Sequence, residues 1–304
     1  MKIALTSYAT GKFLPYQKEL NESATRWGIA EIFSYGRGEL EDSEFYRENK
    51  SILDEPCGAG LWAWKPFFIL KALEHLGEGD LLLYCDSGSR IVQDPSPLFK
   101  IGTEQPAGLV LFDARPLTNR QFTKRECFVE MGCDREEYWD ATKVIATALL
   151  VRKCSSSLKM IEEWQGFCRA RAAIANERVH PEILELPGYI QHRNDQSILS
   201  VLAKKYNLET YRNPSHWGDY LKLPAFRVKK EKIKSPFGLP LGIKKYAREP
   251  QANSPYGTVF EFNRLLNLEH KETYDQSLAK PVARRRGPVG LLILLKRIFS
   301  GKKR

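Results

Sequence analysis

GEGDLLLYCDSGSR, residues 77–90, is the stretch that decides the fold. A glycine-punctuated turn delivers Leu81 to Tyr84, and the apolar run then gives way to Asp86 and the small residues Ser87, Gly88 and Ser89. A continuous apolar run bounded by turn residues reads as a central strand covered on both faces by helices. Asp86 then stands at the strand's carboxyl end, where an aspartate closes a turn, caps a helix or holds a metal beside a phosphate. D-x-G is also a common plain turn.

Upstream, CGAG (57–60) reads as a turn, and the spacing of Phe67, Leu70, Leu73 and Leu76 predicts a helix beginning at Pro66 and ending at Gly77 and Gly79. Proline holds its predecessor extended, which puts Lys65 at the mouth of that helix, where free amides favour anions. An ordinary surface lysine beside packed aromatics is the alternative. IALTS (3–7) and IAEIFSYG (29–36) read as strands around an amphipathic helix from Leu14 to Trp27.

Further along, GLVLFDA (108–114) and ATALLVRK (146–153) read as strands, and a long helix follows the serines at 155–157. Asp134 with Glu137 reads as a capping box, and HRNDQSILSVLAKKY (192–206) as another helix. Strands alternating with helices predict an α/β fold with a mostly parallel sheet. Such a sheet binds ligands at the carboxyl ends of its strands, where Asp86 is.

At 304 residues and 42% hydrophobic, the chain is long enough to bury a full core. The net charge of +10 is concentrated at one end. From Lys280 to Arg304 there are nine Lys and Arg and no acidic residue, which leaves 38 basic against 37 acidic residues before it. A near-neutral body argues against an extensive nucleic-acid footprint. Six cysteines without C-x-x-C pairing read as free thiols. MKIALTSYATG lacks the long apolar segment of a signal peptide, which points to the cytoplasm.

In the tail, Leu291–Leu295, Ile298 and Phe299 are interleaved with Lys296 and Arg297 and followed by Lys302–Arg304. The run is far short of the roughly 20 apolar residues that span a bilayer. It fits an anionic membrane surface, where each Lys or Arg gains roughly 1 kcal/mol; a solvated tail or a helix docked on the body is the alternative. Three parts follow: a core over 1–225, an elaboration over 226–279 and a basic amphipathic tail over 280–304.

GAGLWAWKPFFILKALEHLGEGDLLLYCDSGSRI resembles a W-x-W-K-P, helix, G-D, strand, D-x-G pattern of bacterial nucleotide-sugar glycosyltransferases, associated with capsule and O-antigen assembly. The resemblance continues through TKRECFVEMGCDREEYWD (123–140) and HRNDQSILSVLAKKY, so three ordered blocks cover roughly residues 1–215. It implies a GT-A-like, Rossmann-type sheet that binds a nucleotide diphosphate sugar, UDP-linked by preference, and passes the sugar to a glycan or lipid-linked acceptor. Lipid-linked acceptors match a peripheral place on the inner face of the cell membrane.

The resemblance also implies site residues. Asp86 would support a metal-bound diphosphate and Lys65 would neutralise leaving-group charge; by their own chemistry Gly88 lets a backbone or ligand approach closely and Ser87 and Ser89 can bond a ribose or phosphate. Ser7 and Tyr8 would meet the ribose and base, although a packed tyrosine is equally consistent with the local sequence. His192, Asp195 and Gln196 match an H-x-x-D-Q element, in which Asp195 lies near the transferred sugar; N-capping its helix is the alternative. Lys124 and Arg125 are either diphosphate or acceptor ligands or solvated charges. Where the family has D-x-D this chain has D-S-G, so the Mn²⁺ or Mg²⁺ is conditional, with Asp86 as ligand and His216 or Asp195 to complete the shell. Two rival readings remain: a non-catalytic nucleotide- or polyanion-binding protein, and a sugar-phosphate nucleotidyltransferase, for which SYATGKF is a poor phosphate loop.

Overall fold

The structure, a computed structural model, describes residues 1–215, 218 and 251–262. His216, the tail over 280–304 and all of 226–279 apart from 251–262 lie outside the described residues. Among the described residues nine strands form: β1 Ile3–Tyr8, β2 Glu31–Tyr35, β3 Leu81–Cys85, β4 Ser89–Ile91, β5 Leu109–Thr118, β6 Thr142–Val144, β7 Ala148–Arg152, β8 Thr210–Tyr211 and β9 Phe260–Phe262. The main sheet runs β2-β1-β3-β7-β5-β6, with β8 added beside β5.

This sheet is mixed and not mostly parallel. β1 pairs in parallel with β2 and β3, and β5 with β8. The β3–β7, β7–β5 and β5–β6 ladders of this sheet are antiparallel, and so is β4–β9, which forms a separate two-stranded sheet; among the described residues antiparallel ladders outnumber parallel ones four to three. The expectation failed for a physical reason. LLLY and ALLV are apolar because helices cover both faces, and a buried antiparallel strand meets that condition as well as a parallel one; direction is set by the connections, which leave no mark on hydropathy.

Alternation along the strands divides the core in two. Leu82 and Tyr84 of β3, Leu109 and Leu111 of β5 and Leu149 and Val151 of β7 face the helices Trp64–Glu74, Ser155–Cys168 and Asn194–Lys205. Leu81, Leu83 and Cys85, Val110 and Phe112, and Ala148 and Leu150 face the helices Leu14–Arg26 and Ser96–Glu104. Successive side chains of a strand point to opposite faces, so the residue two beyond Tyr84 returns to the first of these layers. That residue is Asp86.

The helix carrying Lys65 starts at Trp64, two residues before the expected Pro66. Proline within the first turn costs nothing, since its missing amide has no intrahelical partner there. Lys65 is therefore helical and not extended, its amide donating to the Trp62 carbonyl at 3.1 Å. The preceding turn is held by unusual backbone: Ala59, Gly60, Leu61 and Trp62 all have positive φ. A Cβ on Gly60 would lie 2.8 Å from Leu53 Cα and 2.9 Å from its carbonyl oxygen, so only glycine fits. Trp64 closes the turn by donating from Nε1 to the Gly58 carbonyl at 3.0 Å.

Short helices at Arg37–Glu41, Glu44–Glu48 and Lys50–Leu53 fill the polar stretch before this turn. The capping box expected at Asp134 and Glu137 does not form: Arg135 is the N-cap, and Asp134 instead accepts from Arg125 Nε at 3.1 Å and Trp139 Nε1 at 3.0 Å. Residues 251–262 return to the described body, with β9 beside β4 and the Val259 amide on the Pro214 carbonyl at 2.7 Å. All six cysteines are unbonded, and only Cys57 is not fully buried. No helix among the described residues is long and apolar enough to cross a membrane.

Candidate functional site

Three segments distant in sequence meet at the carboxyl end of β3. The Lys65 ammonium lies 3.3 Å from Asp86 Oδ1 and 2.8 Å from Asp195 Oδ2, the latter an ion-pair contact without hydrogen-bond alignment. It also donates to the Ala146 carbonyl, in the link between β6 and β7, at 2.9 Å. An ammonium has three donors, and these oxygens surround it. The three side chains are 3%, 9% and 5% exposed.

Each partner is fixed in turn. Tyr84, on the same strand face, donates its hydroxyl to Asp86 Oδ1 at 2.7 Å, and the Asp86 amide donates to the Thr147 carbonyl at 2.7 Å. Asn194, at φ 47, turns the chain into its helix and anchors it by donating from Nδ2 to the Ile174 carbonyl at 2.7 Å. Trp164 donates to the Asp195 carbonyl oxygen at 3.0 Å. The N-cap of this helix is Arg193, without a side-chain cap bond; Asp195 sits in the first turn with its carboxylate on Lys65.

Burial and charge act against each other here. Burial pushes the Asp195 carboxyl up, to about 6, and Lys65 opposes the rise. For Lys65 burial favours the neutral amine, yet the Asp195 and Asp86 carboxylates outweigh it and raise its pKa. Burial, followed by the Asp86 charge, lifts the Tyr84 phenol well above its ordinary value. The cluster is thus one ammonium shared by two carboxylates, one of which titrates near neutrality.

The other expected residues are distributed more widely. Ser87 and Gly88 form the buried turn between β3 and β4, closed by the Ser89 amide on the Asp86 carbonyl at 2.9 Å. Ser7 is buried, its hydroxyl accepting from Gln17 Nε2 at 3.1 Å. The Tyr8 ring packs on Trp64 and Phe68, with centroids 4.2 and 5.1 Å away, and the residue is 4% exposed, so its faces are covered by protein. Gln196 donates to the Val144 carbonyl at 2.8 Å.

His192 is buried and accepts at Nδ1 from the Lys124 amide at 3.2 Å; burial, reinforced by Lys124 and Lys143, holds its pKa far below the ordinary value and keeps it neutral. Lys124 is neither solvated nor available to a diphosphate: it is buried against Glu126 at 3.0 Å and the Glu177 carbonyl at 2.8 Å. Glu126 also accepts from the Val179 and His180 amides, so the T-K-R-E block pins the 177–180 loop.

Three participants escaped the sequence reading. Tyr84 was detectable, because residues two apart on a strand share a face. Ala146 contributes only a backbone oxygen, for which no residue type is a signal. Lys143 of β6 drew no reading at all, yet it is 2% exposed, its Nζ has no hydrogen-bond partner among the described residues, and it lies 6.0 Å from the Phe122 ring centroid. Burial first, then Arg193, drives its pKa far down, with Asp195 and Cys127 opposing.

A divalent cation takes a shell of oxygen ligands. Among the described residues no group of three or more His, Cys, Asp and Glu side chains is arranged to hold one. The position between Asp86 and Asp195, where a cation would gain most, is held by the Lys65 ammonium, and position 88 is glycine. Among the described residues an ammonium thus lies between the two carboxylates that the D-x-D comparison would assign to Mn²⁺ or Mg²⁺, and His216 lies outside them.

No family model and no curated protein matches the chain. Among solved structures it is similar to mouse xyloside xylosyltransferase 1, with 8% identity over 69% of this chain and 86% of that one at a TM-score of 0.39. A galactosyltransferase in complex with donor and acceptor sugar analogues shares 13% identity over 70% of this chain and 74% of its own, at 0.36. A glycosyltransferase involved in glycosylation of the major capsid of PBCV-1 shares 15% over 62% of this chain and 80% of its own, at 0.33. At such scores the likeness does not decide what this chain does, and the functional argument rests on its own residues.

Proposed function

We propose that the chain is a glycosyltransferase that moves a sugar, a hexose by preference, from a nucleotide diphosphate sugar to a glycan or lipid-linked acceptor in surface polysaccharide synthesis. The observation that carries this reading is the Lys65-bridged pair of carboxylates at the carboxyl end of β3. In such a transfer the bond from the anomeric carbon to the diphosphate oxygen breaks, its electron pair leaving with the nucleotide. The acceptor oxygen bonds to the same carbon, and its proton passes to a base. Positive charge grows at the anomeric carbon as this happens, which a preorganised carboxylate stabilises.

Asp195 is the carboxylate assigned to that place. It takes the acceptor proton if the centre inverts and orients the sugar if the centre is retained. Asp86 and the Ser87-Gly88 turn form the adjoining donor side, with Gln196 beside it. Lys65 acts here as the clamp that sets the distance between the two carboxylates and not as a ligand of the leaving group, since its ammonium is buried in ion-pair contact with both and bonded to the Ala146 carbonyl. UDP-sugars are the favoured donors.

The tail over 280–304 is proposed to hold the protein on the anionic inner face of the cell membrane, 1–225 to be the catalytic core and 226–279 its elaboration. Truncation at Lys280 should abolish co-sedimentation with anionic liposomes, and unchanged binding would remove this part. Calorimetric titration with UDP, GDP and CMP, with and without Mn²⁺, followed by donor-sugar hydrolysis, tests the whole reading; binding of no nucleotide under any condition ends it.

A second reading has its own observation. The near-complete burial of Lys65, Asp86 and Asp195 also fits a polar network that fixes the packing of two helices on the sheet. Under that reading, substitutions in the cluster change melting temperature and leave a nucleotide-binding surface elsewhere unaffected.

A further inference from the structure

Asp86 and Asp195 are far apart in sequence yet both are buried within ion-pair range of one group, and two buried carboxylates side by side are costly unless a positive charge or a proton offsets them. That charge belongs to the chain itself. Lys65 reaches the pair from the first turn of its helix, is 2% exposed, and donates to the Ala146 carbonyl. We propose that Lys65 occupies the place of a divalent cation, so that the protein binds and uses its nucleotide-sugar donor without a metal ion; this rests on the sugar-transfer reading above.

Three features support it. First, a divalent ion must approach carboxylate oxygens to about 2.0–2.6 Å, and at Asp86 Oδ1 or Asp195 Oδ2 it would meet an ammonium already in ion-pair contact with both. Like-charge repulsion at that range in a buried site is severe. Second, Asp86 Oδ1 also accepts the Tyr84 hydroxyl, so two donors would have to leave before a metal could bind there.

Third, Lys65 has little freedom to withdraw. Its helix begins at a turn locked by Gly60 against the Leu53 backbone and by Trp64 against Gly58, and leaving the site would strip Ala146 of this donor and strand two carboxylates. Both flanking carboxylates raise the Lys65 pKa, which keeps it charged where they are charged. Glycine at position 88 is consistent with the same design, since a second carboxylate on the turn would have no metal to hold.

The test uses the full chain. UDP affinity is measured by calorimetry after EDTA treatment and again with added Mn²⁺, and thermal melting is followed with and without Mn²⁺ for the wild type and for Lys65→Met. The expected result is UDP binding that differs by less than about threefold between the two conditions. Mn²⁺ should not shift wild-type melting but should raise that of Lys65→Met, whose two carboxylates have lost their ammonium. UDP binding that appears only with Mn²⁺, or tightens by more than about tenfold, overturns the proposal. So does a wild-type melting temperature raised by Mn²⁺. If Lys65→Met does not fold, the wild-type measurements decide alone. Failure to bind UDP, GDP or CMP in either condition strikes the sugar-transfer reading instead, and the wild-type Mn²⁺ melt still decides whether Lys65 excludes a cation.

Discussion

The Lys65 ammonium and Asp195 Oδ2 are 2.8 Å apart, although one side chain projects from the helix Trp64–Glu74 and the other from the first turn of Asn194–Lys205. The contact joins two helices on one face of the sheet at the edge where β3 ends. It also makes Asp195 a buried carboxylate that is partly, not fully, neutralised by its partner.

Replacing Asp195 with Asn tests what that carboxylate does. The amide keeps the shape, and Lys65 retains Asp86 and Ala146 as partners. Turnover of the nucleotide sugar should fall by about 10²–10⁴-fold, as for loss of a general base or charge stabiliser. Melting temperature should stay level or rise, because a costly buried charge has gone. A variant with unchanged turnover would return Asp195 to a structural role.

The pH dependence follows from the same residue. Its pKa is raised from 3.8 to about 6 in the folded protein, so between these values the folded state holds a proton that the unfolded chain has released. Its contribution to stability is therefore full below the unfolded value and is lost as pH rises through about 6. Activity runs the opposite way, since the ionised form is the working one, and the acid limb of the rate profile should have its midpoint near 6. Asp195→Asn should abolish both the limb and this part of the stability change, read by turnover and thermal melting from pH 4 to 8.

Lys143 provides a stability test away from the chemistry. Its buried amine, without a hydrogen-bond partner among the described residues, has a pKa far below the ordinary 10.5, so the unfolded chain binds a proton that the folded protein does not. That difference opposes folding at neutral pH and fades as pH rises toward 10.5. Lys143→Met should stabilise the protein by about 1–3 kcal/mol. The gap between variant and wild type in urea unfolding should narrow from pH 7 to pH 10; a destabilised variant would show that Lys143 has a partner.

Gly60→Ala should be strongly destabilising. The position has φ 108, and the added Cβ would press on Leu53 backbone atoms that cannot rotate away. A cost of about 2–4 kcal/mol is expected, from backbone strain and overpacking together. Because the turn aims the Lys65 helix, nucleotide affinity in any folded fraction should fall as well, read by calorimetry beside urea unfolding.

The sequence by itself determined the main strands and long helices and singled out Lys65, Asp86 and Asp195, which folding brings together. The apolar run Leu81–Tyr84 gave a buried strand, with Asp86 placed at its end. Helical periodicity placed Leu14–Arg26, Ser155–Cys168 and Asn194–Lys205 within a residue or two. Lys65 stood out by its place before Pro66 at a helix start, Asp86 by its place at the end of an apolar run, and Asp195 through the resemblance to an H-x-x-D-Q element. Only the tertiary structure decided strand direction, because β7 running against β3 buries the same side chains as a parallel strand would. It alone decided partners. Lys65 reads as a cation waiting for phosphate until folding puts two carboxylates on it, and nothing in the sequence marks Lys143 as buried until β6 is covered. Hydropathy records how much of a residue is hidden, while the identity of the group across the gap is set by chain connections that local sequence does not carry.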